Sequence, residues 1–334
     1  IAQVIPSGKL PKYSYIPELN EKIAEMVAGL NSGQVFLVNQ AQGFNWQDYT
    51  VHDKVHPNKA GAEKMATVWF EALKKVLASS ETVFSPEIVR YKTLEDGDSL
   101  ALHIFKPRNM QAGEKRPAIV YFFGGGWKLG TPIQFYRECA YYASKGMVAV
   151  SVDYRIGYLH HSTPFESFED AKDAICWLRS HASDYQLDPD KIAVAGGSAG
   201  GHLAAALGTI GSDETVPAGY RPNLSVLYYP VIDMVSRGYG FPEIKRDFEK
   251  ISPIHHVSEA TPSTLILLGT KDPIVSVETI EAYQDKLLQK GVDCELHLFE
   301  GAGHPIFLYR KPLTEEYYKV RKLTDDFLKR QGFL

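Results

Sequence analysis

The sequence has few cysteines and no long hydrophobic run, and each shortage excludes a class of protein. Its 334 residues include only Cys139, Cys176 and Cys294, an odd number without a CxxC spacing. We therefore expect reduced, buried thiols, with neither a disulfide framework nor a structural zinc site. Apolar runs such as residues 118–123 and 264–268 are as short as strands, far below the ~20 residues that span a bilayer. The sequence predicts no membrane span.

An excess of charge of either sign is also missing. The formal net charge is -4, with 23% charged and 44% hydrophobic residues, which is typical of a soluble globular protein. Without a basic patch we expect no nucleic-acid partner. No motif requires a metal or an organic cofactor, and we expect neither. The chain begins at Ile1, which predicts that a preceding segment was removed or left out and keeps export open.

From about residue 87 onward, short β-rich runs alternate with segments of helical period. The predicted strands cover residues 118–123, 148–152, 192–195, 225–229, 264–268 and 295–299. Two further runs, 87–94 and 100–106, flank a polar turn and predict an antiparallel hairpin at the sheet edge. Helices are predicted over 168–180 and 277–290 because their apolar residues recur on one face. This alternation predicts an α/β fold, a mostly parallel sheet with helices on both faces.

The first 80 residues follow a different pattern. They comprise an apolar stretch, a helix-like run, a strand-like run and a long amphipathic helix, over residues 1–5, 16–30, 34–39 and 60–77. A polar linker within residues 78–86 separates them from the alternating pattern. We therefore predict two domains, residues 1–79 and residues 80–334.

A glycine-rich turn follows the strand predicted over residues 192–195. Gly196, Ser198 and Gly200 fit G-x-S-x-G, the pattern of a nucleophile elbow, in which crowding requires glycines around a raised serine hydroxyl. The helix that follows points backbone N–H groups, including that of Ala199, at a developing oxyanion. Two alternatives are a tight turn with an incidental serine and a phosphate-binding loop. The second lacks both the G-x-G-x-x-G spacing and the Gly-Lys-Ser of a P-loop.

A second glycine cluster follows the strand predicted over residues 118–123. The bare backbone of Gly124, Gly125 and Gly126 can approach a tetrahedral intermediate from the side opposite Ala199 and donate N–H groups to it. A tight loop without catalytic function is the alternative. Three successive glycines cost chain entropy, however, which favours close approach to a substrate.

A serine nucleophile needs a base and a carboxylate that orients the base. Asp272 and His304 follow the strands predicted over 264–268 and 295–299, where α/β sheets place their sites. The chain order Ser, Asp, His also fits this arrangement. Taken alone, Asp272 would more often be a turn residue before proline, and Asp233 competes for the role of the acid.

The remaining histidines are weaker candidates for the base. His202 lies on the helix behind Ser198, where we expect it to be packed or hydrogen-bonded. Four other histidines lie in polar loops without a matching acidic partner, namely His160, His161, His255 and His256.

These separated motifs resemble the hormone-sensitive-lipase-like acetyl esterases and lipases of the α/β-hydrolase superfamily, over roughly residues 87–334. Residues 123–127 are similar to that family's His-Gly-Gly-Gly-Trp loop, residues 151–155 to its following strand and residues 196–201 to its serine motif. The resemblance implies oxyanion donors at Gly124, Gly125 and Ala199, with Gly126 as a further candidate. Phe123 replaces the family's histidine, which implies the loss of a hydrogen bond that braces the loop.

Residues 1–79 resemble the C-terminal end of an SGNH (GDSL-type) hydrolase. Asp53 and His56 match that family's Asp-x-x-His block, which supplies the acid and the base of a different serine triad. No Gly-Asp-Ser block precedes Asp53, and about 80 residues rarely close a core alone. We expect a catalytically silent segment that packs on the hydrolase body or on another subunit, giving a homo-oligomer.

Residues and resemblance together predict a serine carboxylesterase. Ser198, Asp272 and His304 would act as nucleophile, orienting acid and base on short-acyl esters, and the resemblance implies an acetyl esterase. The resemblance of residues 1–79 to SGNH hydrolases suggests acetylated or feruloylated plant polysaccharide fragments as the substrate. The expected partner is therefore a small-molecule or oligosaccharide ester. Two alternatives remain, an amidase or exopeptidase with the same triad and a non-catalytic binding protein on this fold.

Overall fold

The computed structural model describes residues 1–29, 36–79, 85–108, 110–111, 113–211, 218–234, 247–308 and 313–334. They belong to two compact units, Ile1–Val83 and Phe84–Leu334. The boundary between the two units falls inside the linker predicted within residues 78–86.

The smaller unit is mainly helical. Its helices are α1 (Ile16–Gly29), α2 (Trp46–Tyr49) and α3 (Lys59–Ser79). Among the described residues, the apolar stretch 1–5 and the strand-like run 34–39 form one parallel bridge, between Ala2 and Val38, and residues 34–35 lie outside the described part. A strand pair needs further strands or a helix against its face to be stable, which explains why a single bridge forms here.

The larger unit is built on one sheet of eight strands. The strands are β1 (Glu87–Thr93), β2 (Ser99–Phe105), β3 (Arg116–Phe122), β4 (Val148–Val152), β5 (Leu187–Gly197), β6 (Leu224–Tyr228), β7 (Ser263–Gly269) and β8 (Cys294–Phe299). Their order is β1-β2-β4-β3-β5-β6-β7-β8. Strand β2 is antiparallel to β1 and β4, and all other neighbours are parallel. The predicted edge hairpin and the mostly parallel sheet are confirmed.

Six helices and four short 3-10 helices complete the larger unit within the described residues. The α-helices are α4 (Tyr136–Ser144), α5 (Gly157–His160), α6 (Pro164–Ser180), α7 (Ala199–Thr209), α8 (Val277–Gln289) and α9 (Glu315–Arg330). The 3-10 helices are Pro132–Phe135, Ala218–Tyr220, Phe248–Ile251 and Pro253–His255. Among all described helices, none combines the length and the apolar character that crossing a bilayer requires.

The predicted helical faces lie in the core. Phe168, Ala171, Ile175 and Leu178 of α6 are buried, as are Ile280, Tyr283 and Leu287 of α8. Helix α6 begins at Pro164, earlier than predicted, because Thr163 and Glu166 form a capping box that the apolar period does not reveal.

The prediction that all three thiols are buried is wrong at one position. Cys139 and Cys294 are buried, whereas Cys176 is exposed. Cys176 directly follows the buried Ile175 on α6, and the ~100° turn between successive helical residues carries it away from the core.

Candidate active site

Ser198 stands at the sharp turn between β5, which ends at Gly197, and α7, which begins at Ala199. Its backbone has φ 56° and ψ -120°, a conformation that L-residues rarely adopt. A Cβ atom at Gly196 would lie 2.3 Å from the carbonyl oxygen of Gly200, and one at Gly200 would lie 2.0 Å from that of Phe122. Glycines are therefore required on both sides of the turn, as the sequence pattern predicts.

The three side chains predicted to form a triad meet in the structure. His304 Nε2 lies 3.0 Å from Ser198 Oγ, and His304 Nδ1 lies 2.6 Å from Asp272 Oδ2. An imidazole that donates its Nδ1–H to a carboxylate keeps Nε2 as an acceptor for the serine proton. The residues come from the ends of three different strands, β5, β7 and β8.

The Asp272 side chain is fully buried, and both of its carboxylate oxygens accept hydrogen bonds. Its Oδ1 accepts hydrogen bonds from the N–H groups of Ile274 at 2.8 Å and Val275 at 3.0 Å. Burial alone would raise the pKa of Asp272, but the hydrogen bonds from His304, Val275 and Ile274 outweigh it and lower that pKa below its usual value. The carboxylate therefore stays charged next to the imidazole.

Tyr229 contacts His304, a role that no local sequence pattern indicates. The two ring centroids are 4.6 Å apart and the ring planes meet at 69°. Tyr229 directly follows β6 and has φ 38°, so its backbone is strained. A Cβ atom at Gly197 would lie 2.6 Å from the Tyr229 hydroxyl, so the second glycine of the elbow makes room for this ring.

The loop of residues 123–127, which we call the oxyanion loop, approaches Ser198 closely. A Cβ atom at Gly124 would lie 3.4 Å from Ser198 Cβ and 2.8 Å from the carbonyl oxygen of Gly197. Gly125 and Gly126 have φ values of 146° and 63°, which favour glycine. The loop can follow this path beside the nucleophile because it carries no side chains there.

The expected role of Gly124 as an oxyanion donor is not met in this conformation. Its N–H donates to Gln134 Oε1 at 2.6 Å. By contrast, the N–H groups of Gly125, Gly126 and Ala199 donate to no other residue in the described part of the chain. The candidate donors are therefore these three, and Gly124 contributes the close approach instead.

Two aromatic contacts hold the ends of the oxyanion loop. The Tyr154 hydroxyl donates to the carbonyl oxygen of Phe123 at 2.6 Å, and the two rings stack at 4.0 Å. Trp127 Nε1 donates to His202 Nδ1 at 3.3 Å, and His202 Nε2 donates to the Ile251 carbonyl oxygen at 2.6 Å. Burial lowers the pKa of His202 to about 4, which keeps it neutral. His202 is packed and hydrogen-bonded, as expected.

The other sequence candidates are not part of this arrangement. Asp272, and not Asp233, binds His304. His160 Nδ1 accepts from the Ile156 N–H at 3.0 Å, and His256 Nε2 donates to the Glu249 carbonyl oxygen at 2.7 Å. Within the described ranges, no group of three or more His, Cys, Asp or Glu residues is arranged to hold a metal ion.

The smaller unit contains a second acid and base pair with similar local geometry. Asp53 Oδ2 lies 2.5 Å from His56 Nδ1, and Asp53 Oδ1 accepts from the N–H groups of Val55 and His56. The hydrogen bond from His56 is the main reason that the pKa of Asp53 is lowered. The His56 side chain is 78% exposed, against 11% for His304. Among the described residues, no serine hydroxyl hydrogen-bonds to His56.

The chain is similar to known esterases. The BD-FAE family model matches residues 102–246. A solved esterase from Thermogutta terrifontis with bound propionate is 37% identical, with a TM-score of 0.69, over 75% of this chain and 95% of that chain. The Mycobacterium tuberculosis esterase LipC is 28% identical over 63% of this chain and 57% of that protein. An acetylxylan esterase from Xylanibacter ruminicola is 26% identical over 63% and 44%.

The chain spans about half the length of the curated relatives it matches, with 57%, 50% and 50% for three mycobacterial ester hydrolases. Fold and site together define the larger unit as an α/β-hydrolase. The chain belongs to the hormone-sensitive-lipase-like α/β-hydrolase esterases and carries a BD-FAE domain. These relatives and structural neighbours are carboxylic ester hydrolases.

Proposed function

We propose that this chain is a serine carboxylesterase that hydrolyses short-acyl esters through Ser198. One observation carries the proposal: His304 bridges Ser198 Oγ at 3.0 Å and Asp272 Oδ2 at 2.6 Å. Such a bridge can accept a serine proton and stabilise the imidazolium that forms. A binding protein on this fold does not require a serine hydroxyl that is hydrogen-bonded to an oriented histidine base.

The reaction proceeds in two halves. Ser198 Oγ attacks the ester carbonyl carbon while its proton passes to His304 Nε2, and the N–H groups of Gly125, Gly126 and Ala199 hold the oxyanion. The carbon–oxygen bond to the alcohol then breaks, and His304 returns the proton to the leaving oxygen. In the second half, water gives a proton to His304 while its oxygen attacks the acyl carbon. The bond from that carbon to Ser198 Oγ then breaks, and His304 returns the proton to Ser198 as the acid leaves. Asp272 keeps the imidazole oriented throughout.

The acyl group is short, and acetyl is the first candidate. Solved forms of the Thermogutta terrifontis esterase contain propionate and butyrate, acids of two other short acyl groups. The likeness to an acetylxylan esterase supports acetylated plant polysaccharide or its oligosaccharide fragments as the natural substrate, with feruloylated fragments as the variant to be compared.

We further propose that residues 1–79 are a separate domain related to the C-terminal end of SGNH hydrolases, with residues 80–334 as the catalytic domain. The exposed His56, which hydrogen-bonds to no described serine, supports a silent domain. Association through this domain would make the protein a homo-oligomer. Size-exclusion chromatography with light scattering tests this association. The full chain should be an oligomer, and a chain starting at residue 80 should be a monomer.

A panel of p-nitrophenyl esters from acetate to laurate, run beside acetylated xylan, feruloylated xylan and p-nitroacetanilide, tests the activity. We expect kcat/KM to be highest for acetate and to fall steadily with acyl length. Anilide turnover should be lower than ester turnover by orders of magnitude. The Ser198→Ala variant is the control and should be inactive on every substrate. Preferential anilide turnover would favour an amidase, and a preference for laurate would contradict the short acyl group.

A further inference from the structure

The first end of the oxyanion loop is fixed by a residue outside the loop. Phe123 has no polar side-chain atom, so it cannot brace the loop as the family's histidine would. Instead, Gln134 Oε1 accepts the N–H of Gly124 at 2.6 Å. This hydrogen bond joins the loop to a side chain ten positions downstream, next to the point where a Cβ on Gly124 would touch Ser198.

Gln134 itself is held rigidly, because it lies in the 3-10 helix Pro132–Phe135. The buried Ser151 hydroxyl on β4 donates to the Pro132 carbonyl oxygen at 2.7 Å. At the other end of the 3-10 helix, the Phe135 ring stacks on Tyr121 of β3, with centroids 4.7 Å apart. Two central strands therefore fix the backbone on both sides of Gln134, and its amide oxygen can serve as a fixed acceptor.

The three glycines of the loop need such an external support. Glycine backbone is the least restricted of all, so Gly125 and Gly126 do not hold their own N–H groups in one direction. An oxyanion hole stabilises a transition state only when its donors are oriented beforehand. Fixing the peptide of Gly124 removes freedom at the residue where the run of glycines begins.

We propose that Gln134 is a positioning residue for the oxyanion hole. Its amide oxygen holds the N–H of Gly124, and this orients the N–H groups of Gly125 and Gly126 toward the oxyanion formed at Ser198. The proposal rests on the ester hydrolysis proposed above. Because the bound substrate carries no oxyanion, which forms only in the tetrahedral transition state and intermediate, losing Gln134 should lower kcat and leave KM nearly unchanged.

The test uses the full chain with Gln134→Met, which keeps the size but loses the acceptor, and Gln134→Glu, which keeps an acceptor oxygen. Gln134→Asn is shorter by one methylene and should not reach Gly124. Gln284→Met is the matched control, a half-buried glutamine on α8 whose Nε2 donates to the Cys294 carbonyl oxygen. Each variant is titrated for active sites with a fluorophosphonate, so that kcat refers to folded enzyme.

The measurements are kcat and KM for p-nitrophenyl acetate and the inhibition constant of an aryl trifluoromethyl ketone, which binds serine hydrolases as a charged hemiketal. Removing a whole oxyanion donor costs about 10²–10³-fold in kcat, and a loosened loop should cost less, about 10–100-fold. We expect this loss in Gln134→Met and Gln134→Asn, with KM within about threefold. The ketone's inhibition constant should rise in proportion, and Gln284→Met should stay near the wild type. Gln134→Glu should lie between Gln134→Met and the wild type, because its carboxylate restores the hydrogen bond but adds a negative charge near the oxyanion.

Two results would overturn the role of Gln134 without affecting the proposed esterase activity. In the first, the wild type is active and Gln134→Met and Gln134→Asn are equally active. In the second, these variants lose kcat but bind the ketone as tightly as the wild type. A Gln134→Glu variant no more active per titrated site than Gln134→Met would also count against this role. If Gln134→Met does not fold, the other two variants decide the question. A wild type that hydrolyses no ester would instead defeat the proposed function together with this role.

Discussion

His304 Nδ1 lies 2.6 Å from Asp272 Oδ2, while the other oxygen of Asp272 is held by two backbone N–H groups. The carboxylate is therefore unable to turn away from the imidazole. Since burial alone raises the pKa of Asp272 and the hydrogen bonds reverse that effect, orientation and charge depend on the same contacts. The base is thereby prepared in the correct tautomer before a substrate arrives.

Replacing this carboxylate by an amide should disable the base. We expect Asp272→Asn to lower kcat about 10³–10⁴-fold, because an amide stabilises the wrong tautomer and no longer compensates the imidazolium. Steady-state kinetics with p-nitrophenyl acetate measure the effect. Asp53→Asn is the matched control, since Asp53 makes the same pattern of contacts in the smaller unit, and it should keep wild-type activity. A loss in Asp53→Asn would show that the smaller unit is catalytic.

The ring of Tyr229 supports the same imidazole from another side. Aromatic pairs of this kind contribute about 0.5–1.5 kcal/mol, so we expect Tyr229→Leu to lower kcat about 2–12-fold. Tyr229→Phe keeps the ring and should stay close to the wild type. Active-site titration separates this effect from misfolding. Equal kcat values for Tyr229→Leu and Tyr229→Phe would show that the ring contact has no catalytic effect.

The elbow should tolerate no added methyl group. A Cβ atom at Gly200 would lie 2.0 Å from the Phe122 carbonyl oxygen, so we expect Gly200→Ala to cost about 3 kcal/mol or more. For a domain of this size the thermal midpoint should fall by roughly 6–12 °C, as measured by calorimetry. Gly219→Ala is the control, because a Cβ there would meet only Cys176 Sγ at 3.5 Å. Equal midpoints for both variants would contradict the crowding at the elbow.

Asp153 should make stability fall as the pH rises. Burial is the largest cause that raises the pKa of Asp153 to about 6, from an ordinary value of 3.8. Between about pH 4 and 6 the folded state then binds more protons than the unfolded state, so the free energy of unfolding decreases with pH. We expect Asp153→Asn to be about 3 kcal/mol more stable than the wild type well above pH 6, and nearly equal to it below pH 4.

Urea unfolding at pH 4, 5, 6 and 7 measures this difference. Asp190→Asn is a suitable control, since that residue is exposed and its substitution should leave the pH dependence unchanged. A constant difference between Asp153→Asn and the wild type at all four pH values would contradict the raised pKa.

The elements that could be predicted from the sequence are those that depend on local patterns. The strands before Ser198 and Asp272 were recognisable because buried parallel strands are short apolar runs. The edge strand before His304 was recognisable from its alternating apolar and polar residues. Gly196 and Gly200 were recognisable because the sharp turn itself requires them. A Cβ at Gly196 would collide with the Gly200 carbonyl oxygen, and one at Gly200 with that of Phe122. Each of the three side chains could then be assigned to the loop that follows one of these strands.

The supports of the site could not be predicted, because they depend on contacts between distant parts of the chain. Gln134 holds Gly124 only because Ser151 and Tyr121 fix the turn that carries it. The sequence indicates that Phe123 cannot form the hydrogen bond made by the family's histidine. It does not indicate that Gln134 supplies a hydrogen bond to the loop instead. Tyr229 likewise contacts His304 through folding of residues 75 positions apart, and no periodicity marks it.

Fluorophosphonate labelling of the full chain, followed by peptide mass mapping, tests the central claim most directly. We predict one adduct, on Ser198, with ester hydrolysis lost in step with labelling. Neither Ser198→Ala nor His304→Ala should be labelled at a comparable rate, and Ser198→Ala should lose at least ~10⁴-fold in kcat. An adduct on a different residue, or substantial esterase activity in Ser198→Ala, would contradict the account.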